Sequence, residues 1–349
     1  MNNIAHPLLN TTQHIHWYWL SAALLGVLAW LSLSSGAVGW DWKMPILWLL
    51  PESMTSDVQP LHISVVTQIR LPRLVLAILI GAVLASSGAA TQALCRNPLA
   101  DPSLMGITGG AAMAAVAIIA LSAKVSFIHE AMVTPAAFIG AISVTALIHK
   151  VASHQGQVQI TTLLLAGVAI NAMAMAVIGL FSFFADDSAL RLMTYWQMGS
   201  LGGASWSAMQ YGAPLIIVSI GALFVRRKKI NALMLGELEA RHLGINVTKL
   251  KTEIVIIVAL GVGGAVALAG MIGFVGLLVP HVARLLVGPD LRRMLPLSML
   301  LGCVLMLIAD WISRLVVAPS ELPIGIVTAL FGSPFFVYQL LKQKRGQHA

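Results

Sequence analysis

The chain has 349 residues, 58% hydrophobic and only 10% charged, with a mean hydropathy of +0.88. A soluble domain carries about 25% charged residues, so a water-soluble fold of this size is excluded, and the bilayer is the solvent that such a composition needs. The net charge of +8 would suggest nucleic acid in a soluble protein; here the basic residues sit mostly between apolar segments, where membrane orientation accounts for them and no nucleic-acid partner is expected.

A spanning helix needs roughly 20 apolar residues, and ten candidates follow one another. The first lies near 17–35, with no Lys or Arg before it. Ser34-Ser35-Gly36-Ala37 at its end could pass for a cleavage site, but the many later spans favour a retained helix. The others lie near 70–94, 104–122, 132–149, 161–184, 207–225, 252–271, 273–287, 295–317 and 322–341. The eighth is short and carries Pro280. Glycine, at 30 residues, suits close helix packing in lipid. The expected fold is an all-α integral membrane protein of about ten transmembrane helices. It forms a single transmembrane domain over 1–349, with tails at 1–16 and 342–349.

Orientation follows from the basic residues. With a cytoplasmic N-terminus, fifteen of the 21 Lys and Arg residues fall inside, and Lys43, Arg70, Arg73, Lys124, Arg191 and Arg314 fall outside. An even number of spans returns the basic tail to the cytoplasm. An internal repeat is also visible. Gly81-Ala82-Val83-Leu84-Ala85 opens one half and Gly264-Ala265-Val266-Ala267-Leu268-Ala269-Gly270 the other. The two segments run in opposite directions across the membrane, an inverted arrangement common in transporters.

What is missing narrows the chemistry. No Gly-x-x-x-x-Gly-Lys-Ser/Thr stretch exists, so ATP is not bound here by a phosphate loop. No paired-histidine metal motif and no Ser-His-Asp or dyad arrangement appears, so neither a metal site nor an enzyme is expected. Cys95 and Cys303 lie far apart and read as small hydrophobes. Met173 and Met175 read as packing residues rather than haem ligands, and His6, His14 and His16 as part of a solvated tail. Asp310 lies four residues before Arg314 on one helix face, which predicts an ion pair. A proton- or sodium-coupled carrier would carry more buried carboxylates.

The energy source is therefore expected outside the chain, and the loop over 226–251 could receive it. It begins Arg226-Arg227-Lys228-Lys229 and continues through Leu235, Gly236, Glu237, Leu238, Ala240, Arg241, Leu243 and Gly244. A charge run is usually a solvated connector. The embedded apolar positions favour a docking surface instead. Spacing alone leaves both open.

Four blocks then carry a resemblance. They are Arg70-Leu71-Pro72-Arg73 with Gly81-Ala82 and Ser87-Gly88; Arg96-Asn97-Pro98-Leu99-Ala100-Asp101-Pro102 leading to Gly106-Ile107; Gly236-Glu237 through Ala240-Arg241-x-Leu243-Gly244; and Gly273-Phe274-x-Gly276-Leu277-x-x-Pro280-His281-x-x-Arg284 with Ala309-Asp310 and Glu321-Leu322-Pro323-Ile324-Gly325. Over about 65–342 the chain resembles the permease subunits of bacterial ATP-driven importers for ferric siderophores, haem and cobalamin.

The resemblance implies a cobalamin-permease-like (type II) importer in the bacterial inner membrane. Its permease is a homodimer with the pathway at the dimer interface and no permanently bound cofactor. Two separate ATPase subunits hydrolyse ATP, and a periplasmic binding protein delivers the ligand. Arg70, Arg73 and Arg314 match outer-face arginines that pair with acids of the binding protein; such rim charges steer docking. Leu235, Gly236, Glu237, Ala240, Arg241, Leu243 and Gly244 match the coupling helices that sit in a groove of the ATPase. Ile160, Thr161 and Thr162 match the inner gate, where Ile160 departs from the small hydroxyl residues of cobalamin permeases. Asn97, Pro98, Gly273, Gly276, Pro280 and His281 match structural motif positions; Asn97-Pro98 and Pro280-His281 fall at inner helix ends, where Pro98, Pro102 and Pro280 shape the turns and breaks. The segment Asp186-Asp187-x-x-Leu190-Arg191 through Tyr195-Trp196-x-Met198-Gly199-Ser200-Leu201-Gly202-Gly203 looks most like haem permeases, then siderophore permeases, then cobalamin permeases.

Overall fold

Hydrophobic runs of bilayer length become helices because only a helix or a closed barrel satisfies every backbone polar group in lipid. The computed structural model describes residues 11–36, 39–40, 42, 44–47, 60–122, 124–125, 127–154 and 157–346. Among these, seven helices are long and apolar enough to cross a membrane, and three shorter apolar helices complete the ten expected spans. His6 and Lys43 lie outside the described residues.

In chain order the helices are α1 (Thr11–Ser34), α2 (Met44–Leu47), α3 (Pro60–Val65), α4 (Leu71–Cys95), α5 (Ile107–Ser122), α6 (Val133–Ala152), α7 (Ile160–Phe184), α8 (Asp187–Met198), α9 (Trp206–Leu233), α10 (Glu237–His242), α11 (Val247–Ala269), α12 (Val275–Val287), α13 (Leu291–Leu315) and α14 (Ile324–Gly346). A π-helical turn, Val66–Arg70, joins α3 to α4. The strands are two short antiparallel pairs. Ser35–Gly36 (β1) pairs with Gly39–Trp40 (β2), and Ser153–His154 (β3) with Gln157–Val158 (β4).

Two boundaries differ from the sequence expectation. The connection read as 226–251 is shorter, because α9 continues to Leu233 and α11 starts at Val247. At 1.5 Å per residue α9 is about 42 Å long, more than the roughly 30 Å hydrocarbon core. Its basic end, Arg226 to Lys229, is thus a helical extension rather than a loop. Arg226 Nε donates to Glu253 Oε2 of α11 at 2.7 Å and fastens that extension. The second difference is α8, a separate amphipathic helix that the apolar runs did not reveal.

The core is built around α4, which packs against α9, α11, α12 and α13 and is buried along nearly its whole length. Lipid supplies no hydrophobic drive between helices, so small residues that allow close backbone approach carry the association. Gly81 of α4 faces Gly302 of α13 so closely that a Cβ on either would overlap the other's carbonyl. Gly88 meets the Gly276 carbonyl of α12 in the same way. The neighbours repeat between halves: α4 packs on α12 and α13 as α11 packs on α5 and α6, and α12 packs on α13 as α5 packs on α6.

Irregular backbone precedes both α5 and α12. Before α5, Arg96 takes a left-handed conformation (φ 48°) and Asn97 Oδ1 accepts from Leu99 N at 2.9 Å. Asp101 then caps the turn Pro102–Met105 by accepting from Ser103 N at 2.8 Å. Before α12, residues 270–274 are non-helical, and Phe274 has φ 68°. The two segments meet around one cavity of about 370 Å³, lined by Asp101, Pro102, Ser103, Met271, Phe274 and Gly276 among others. Non-helical backbone inside a membrane protein is tolerated where it is buried or lines such a cavity.

Candidate functional site

At the end of the bundle expected to face outward, the start of α4 meets the end of α13. Arg73 Nε donates to Asp310 Oδ1 at 2.7 Å, and Arg73 Nη1 reaches both Glu321 carboxylate oxygens at 2.8 and 2.9 Å. Arg314 Nε lies 3.1 Å from Asp310 Oδ2, an ion pair whose geometry falls short of a hydrogen bond. The predicted Asp310–Arg314 pair is thus present, with Arg73 and Glu321 added. Arg314 also donates to Ser35 O at 3.0 Å and to Ser32 Oγ at 2.9 Å, and Arg70 Nη1 donates to Leu33 O. The three arginines expected as rim charges do gather at one end. Arg70 and Arg73 are buried and the Arg314 side chain is only 9% exposed, so their guanidinium groups face inward in this structure.

Beside this cluster lies a cavity of about 540 Å³ lined by Tyr195, Trp196, Ser200, Gly202, Glu130 and Glu321, among others. Much of the Asp186–Gly203 segment therefore forms its wall. Gly199 ends α8 at φ 73° and is pinned from two sides: Ser200 N donates to Ala269 O at 2.7 Å, and Ile324 N donates to Gly199 O at 2.9 Å. Asp186 caps α8, and the Ala189 N–H (2.8 Å), then the Ser188 hydroxyl (3.0 Å), hold its carboxyl below the usual range.

At the end expected to face inward, α10 stands between Gly236 (φ 125°) and Gly244 (φ 78°), conformations that favour glycine. Ala240 is fully buried and anchors the helix, whereas Leu235, Leu238 and Leu243 are 67%, 70% and 64% exposed. Arg241 is also exposed. Leu235, Leu238 and Leu243 thus present exposed apolar surface around a short helix, the kind of patch that marks interaction sites. Glu237 does not join that surface. Its carboxylate is held by Lys251 Nζ of α11, which also donates to Val158 O at 3.2 Å.

Val158 is two residues from Ile160, the first residue of α7. Ile160 and Thr161 line a cavity of about 670 Å³ together with Cys95, Arg96, Glu237 and Lys251. Thr162 Oγ1 donates to Gln159 Oε1 at 3.1 Å and closes the first turn of α7. Further along, Gly167 abuts the Leu104 carbonyl and Asn171 Nδ2 donates to Ser103 O at 3.0 Å, so α7 packs on the irregular segment before α5.

Most of α7 is exposed. Met173 and Met175 lie on its exposed surface. His281 lies on α12 one residue after Pro280 and packs between Phe335 and Phe336 of α14, at ring-centroid distances of 6.1 and 6.2 Å. Gly276 holds the close approach to Leu84, and a Cβ on Gly273 would meet nothing. Among the described residues no group of three or more His, Cys, Asp or Glu side chains could hold a metal ion.

Sequence reading missed Glu321, Lys251 and Asn171. For Lys251 a signal existed: it falls on the buried stripe Val247, Lys251, Ile254, Val258 of α11, where a charge needs a partner.

Comparison with known proteins fits this architecture. The model of the FecCD transport family matches residues 24–342. The hemin transport system permease protein HmuU of Yersinia pestis is 40% identical over 92% of this chain and 94% of its own length. The cobalamin import system permease protein BtuC of Halobacterium salinarum is 41% identical over 79% of this chain and 73% of its own. A solved structure described as an inward-facing metal-chelate type ABC transporter superposes with TM-score 0.81 at 28% identity, covering 93% of this chain and 98% of that one. The chain belongs to the FecCD transport family, as the membrane-spanning permease subunit of an ATP-binding-cassette importer.

Proposed function

We propose that the chain carries haem across the bacterial inner membrane, receiving it from a periplasmic binding protein. The observation that carries this reading is the 40% identity to the Yersinia pestis hemin permease over nearly the full length of both chains. The Asp186–Gly203 segment supports it: its Tyr195 and Trp196 wall the outer cavity and offer flat apolar surface to a large planar ligand. Cobalamin is the second reading, favoured by a relative at 41% identity; a ferric siderophore is the third.

The working unit in this reading is a homodimer with two ATPase subunits and one binding protein, and both termini of each permease chain are cytoplasmic. Leu235, Leu238 and Leu243 of the connection around α10 enter the ATPase, with Arg241 at the edge. Ile160, Thr161 and Thr162 form the inner gate. Arg70, Arg73 and Arg314 receive the binding protein. Set against Asp310 and Glu321, these five side chains carry one net positive charge. Glu321, whose side chain is 35% exposed, is the acid that a carboxylate of the binding protein would replace on Arg73.

The test is uptake into proteoliposomes holding the permease and its ATPase, with haem-loaded binding protein outside and ATP inside. ATP-dependent haem accumulation is expected. Accumulation only of cobalamin or a ferric siderophore, with its own binding protein, overturns the substrate. Transport by this chain alone on a proton or sodium gradient overturns the importer mechanism.

A further inference from the structure

Lys251 occupies an unusual position. Its side chain is 8% exposed, on the apolar stripe of α11, yet it carries a charge. Three N–H donors leave its ammonium group, and two find acceptors on different elements: the Glu237 carboxylate at the start of α10, and the Val158 carbonyl in β4. β4 leads directly into α7. Val158 pairs with Ser153, Gln159 N donates to Ala152 O at 3.0 Å, and Gln159 O accepts from Leu163 N at 2.9 Å as the first bond of α7. Next to Lys251, His149 of α6 lies 3.3 Å from Thr252 of α11. β4 is thus held between α6 and α11, with Lys251 as its link to α10.

We propose that Lys251 is a positioning residue that transmits movement of α10 to the first turn of α7, where Ile160 and Thr161 stand. This rests on the reading of α10 as the ATPase-facing helix. A buried ammonium cannot give up either acceptor cheaply, because the loss leaves a charge under-coordinated in a low-dielectric site. When the carboxylate on α10 shifts, the least costly response is for Lys251 and the Val158 carbonyl to follow it. The coupling passes through hydrogen bonds between packed, rigid pieces, the physical route by which two sites bias one equilibrium.

The experiment uses the full permease–ATPase complex in proteoliposomes. Single cysteines, Leu238→Cys on α10 or Thr161→Cys on α7, are placed in a Cys95→Ala, Cys303→Ala background and labelled with an environment-sensitive fluorophore. ATP with vanadate is then added. In the parent complex both labels respond. In Lys251→Met the label at position 238 still responds, and the response at position 161 falls by roughly tenfold. Lys251→Arg, which keeps two directed donors, restores it. The exchanged pair Glu237→Lys with Lys251→Glu restores an ion pair and thermal stability, but not the response at 161, because a carboxylate cannot donate to the Val158 carbonyl.

A Lys251→Met complex in which both labels respond as in the parent overturns the tether. So does full recovery at position 161 in the exchanged pair, which makes Lys251 a stability residue only. No response at position 238 in the parent complex is the separate failure, that of α10 as the ATPase-facing helix. If Lys251→Met does not assemble, Lys251→Leu, which likewise lacks a donor, and the exchanged pair carry the same comparison.

Discussion

Asp310→Ala tests the outer ion cluster most directly. Asp310 is fully buried, and it faces Arg73 at 2.7 Å and Arg314 at 3.1 Å. Removing one partner of a buried ion pair costs about 3–5 kcal/mol, chiefly because the remaining charge stays buried without compensation. Here Arg73 keeps Glu321 at 2.8 Å and Arg314 keeps the Ser32 and Ser35 acceptors, which places the cost near the lower bound, about 3 kcal/mol. At roughly 1.4 °C per kcal/mol for a chain of this length, the purified permease in detergent should lose about 4 °C in Tm. Arg73→Ala should show a comparable loss. The double variant should be more stable than the sum of the singles by about 0.5–3 kcal/mol, as for groups in one network. The assay is thermal unfolding followed by loss of the monodisperse peak in size-exclusion chromatography. A Tm within about 1 °C of wild type for Asp310→Ala, or singles that add within about 0.5 kcal/mol, would refute the network as a structural clamp.

Four other outcomes are expected. Leu238→Asp should leave permease stability within about 0.5 kcal/mol, since the side chain is 70% exposed. It should weaken ATPase binding by about 2 kcal/mol, near thirtyfold in Kd by surface plasmon resonance, as an apolar anchor in an interface does. Gly88→Ala places a Cβ on the Gly276 carbonyl and should destabilise by about 1–3 kcal/mol in the same thermal assay. Gly221→Ala in α9 meets nothing within 4 Å and should be neutral or stabilising by about 0.5–1 kcal/mol. Glu321→Gln strips one acid from the outer cluster; the on-rate of the binding protein should rise at low salt, and the gain should fade as salt shortens the Debye length to about 8 Å. An on-rate lowered or insensitive to salt counts against the arginines as its receiver.

The ten spans were legible because the bilayer imposes a length and a composition on every crossing. Lipid does not impose register, so the helix neighbours were not readable in the same way. The Asp310–Arg314 pair could be read from its spacing on one helix face. The partnership of Arg73 with Asp310 and Glu321 could not, because 237 and 248 residues separate them. The end of α9 was misplaced because charge was taken as the mark of a loop; a helix longer than the hydrocarbon core carries its charges in helical form outside it. The leucines of the α10 region were legible as apolar residues within a charged stretch. The burial of Ala240 among them was not, since α10 has too few turns to show a periodic face. The burial of Lys251 was hidden among the charges of the 226–251 stretch, although its place on an apolar stripe distinguished it.

The two ends of the molecule are fastened differently, and this bears on where movement starts. At the outer end, bonds from Arg73 and Arg314 tie α4, α13, the end of α1 and the loop before α14 into one block. Gly199 and the start of α14 lock α8 onto it. At the inner end, α10 is only six residues long, flanked by two positive-φ glycines, and held to the body through buried Ala240 and the Glu237–Lys251 pair. Elements with few buried contacts open at low free-energy cost, and moving parts are drawn from that end of the stability range. In the proposed coupling, a force applied at the exposed leucines of the α10 region displaces the helix ends around it, while the block tied by Arg73 and Arg314 keeps its shape. The first-turn residues of α7, joined to α10 through Lys251 and to the irregular segment before α5 through Gly167 and Asn171, stand where that displacement arrives.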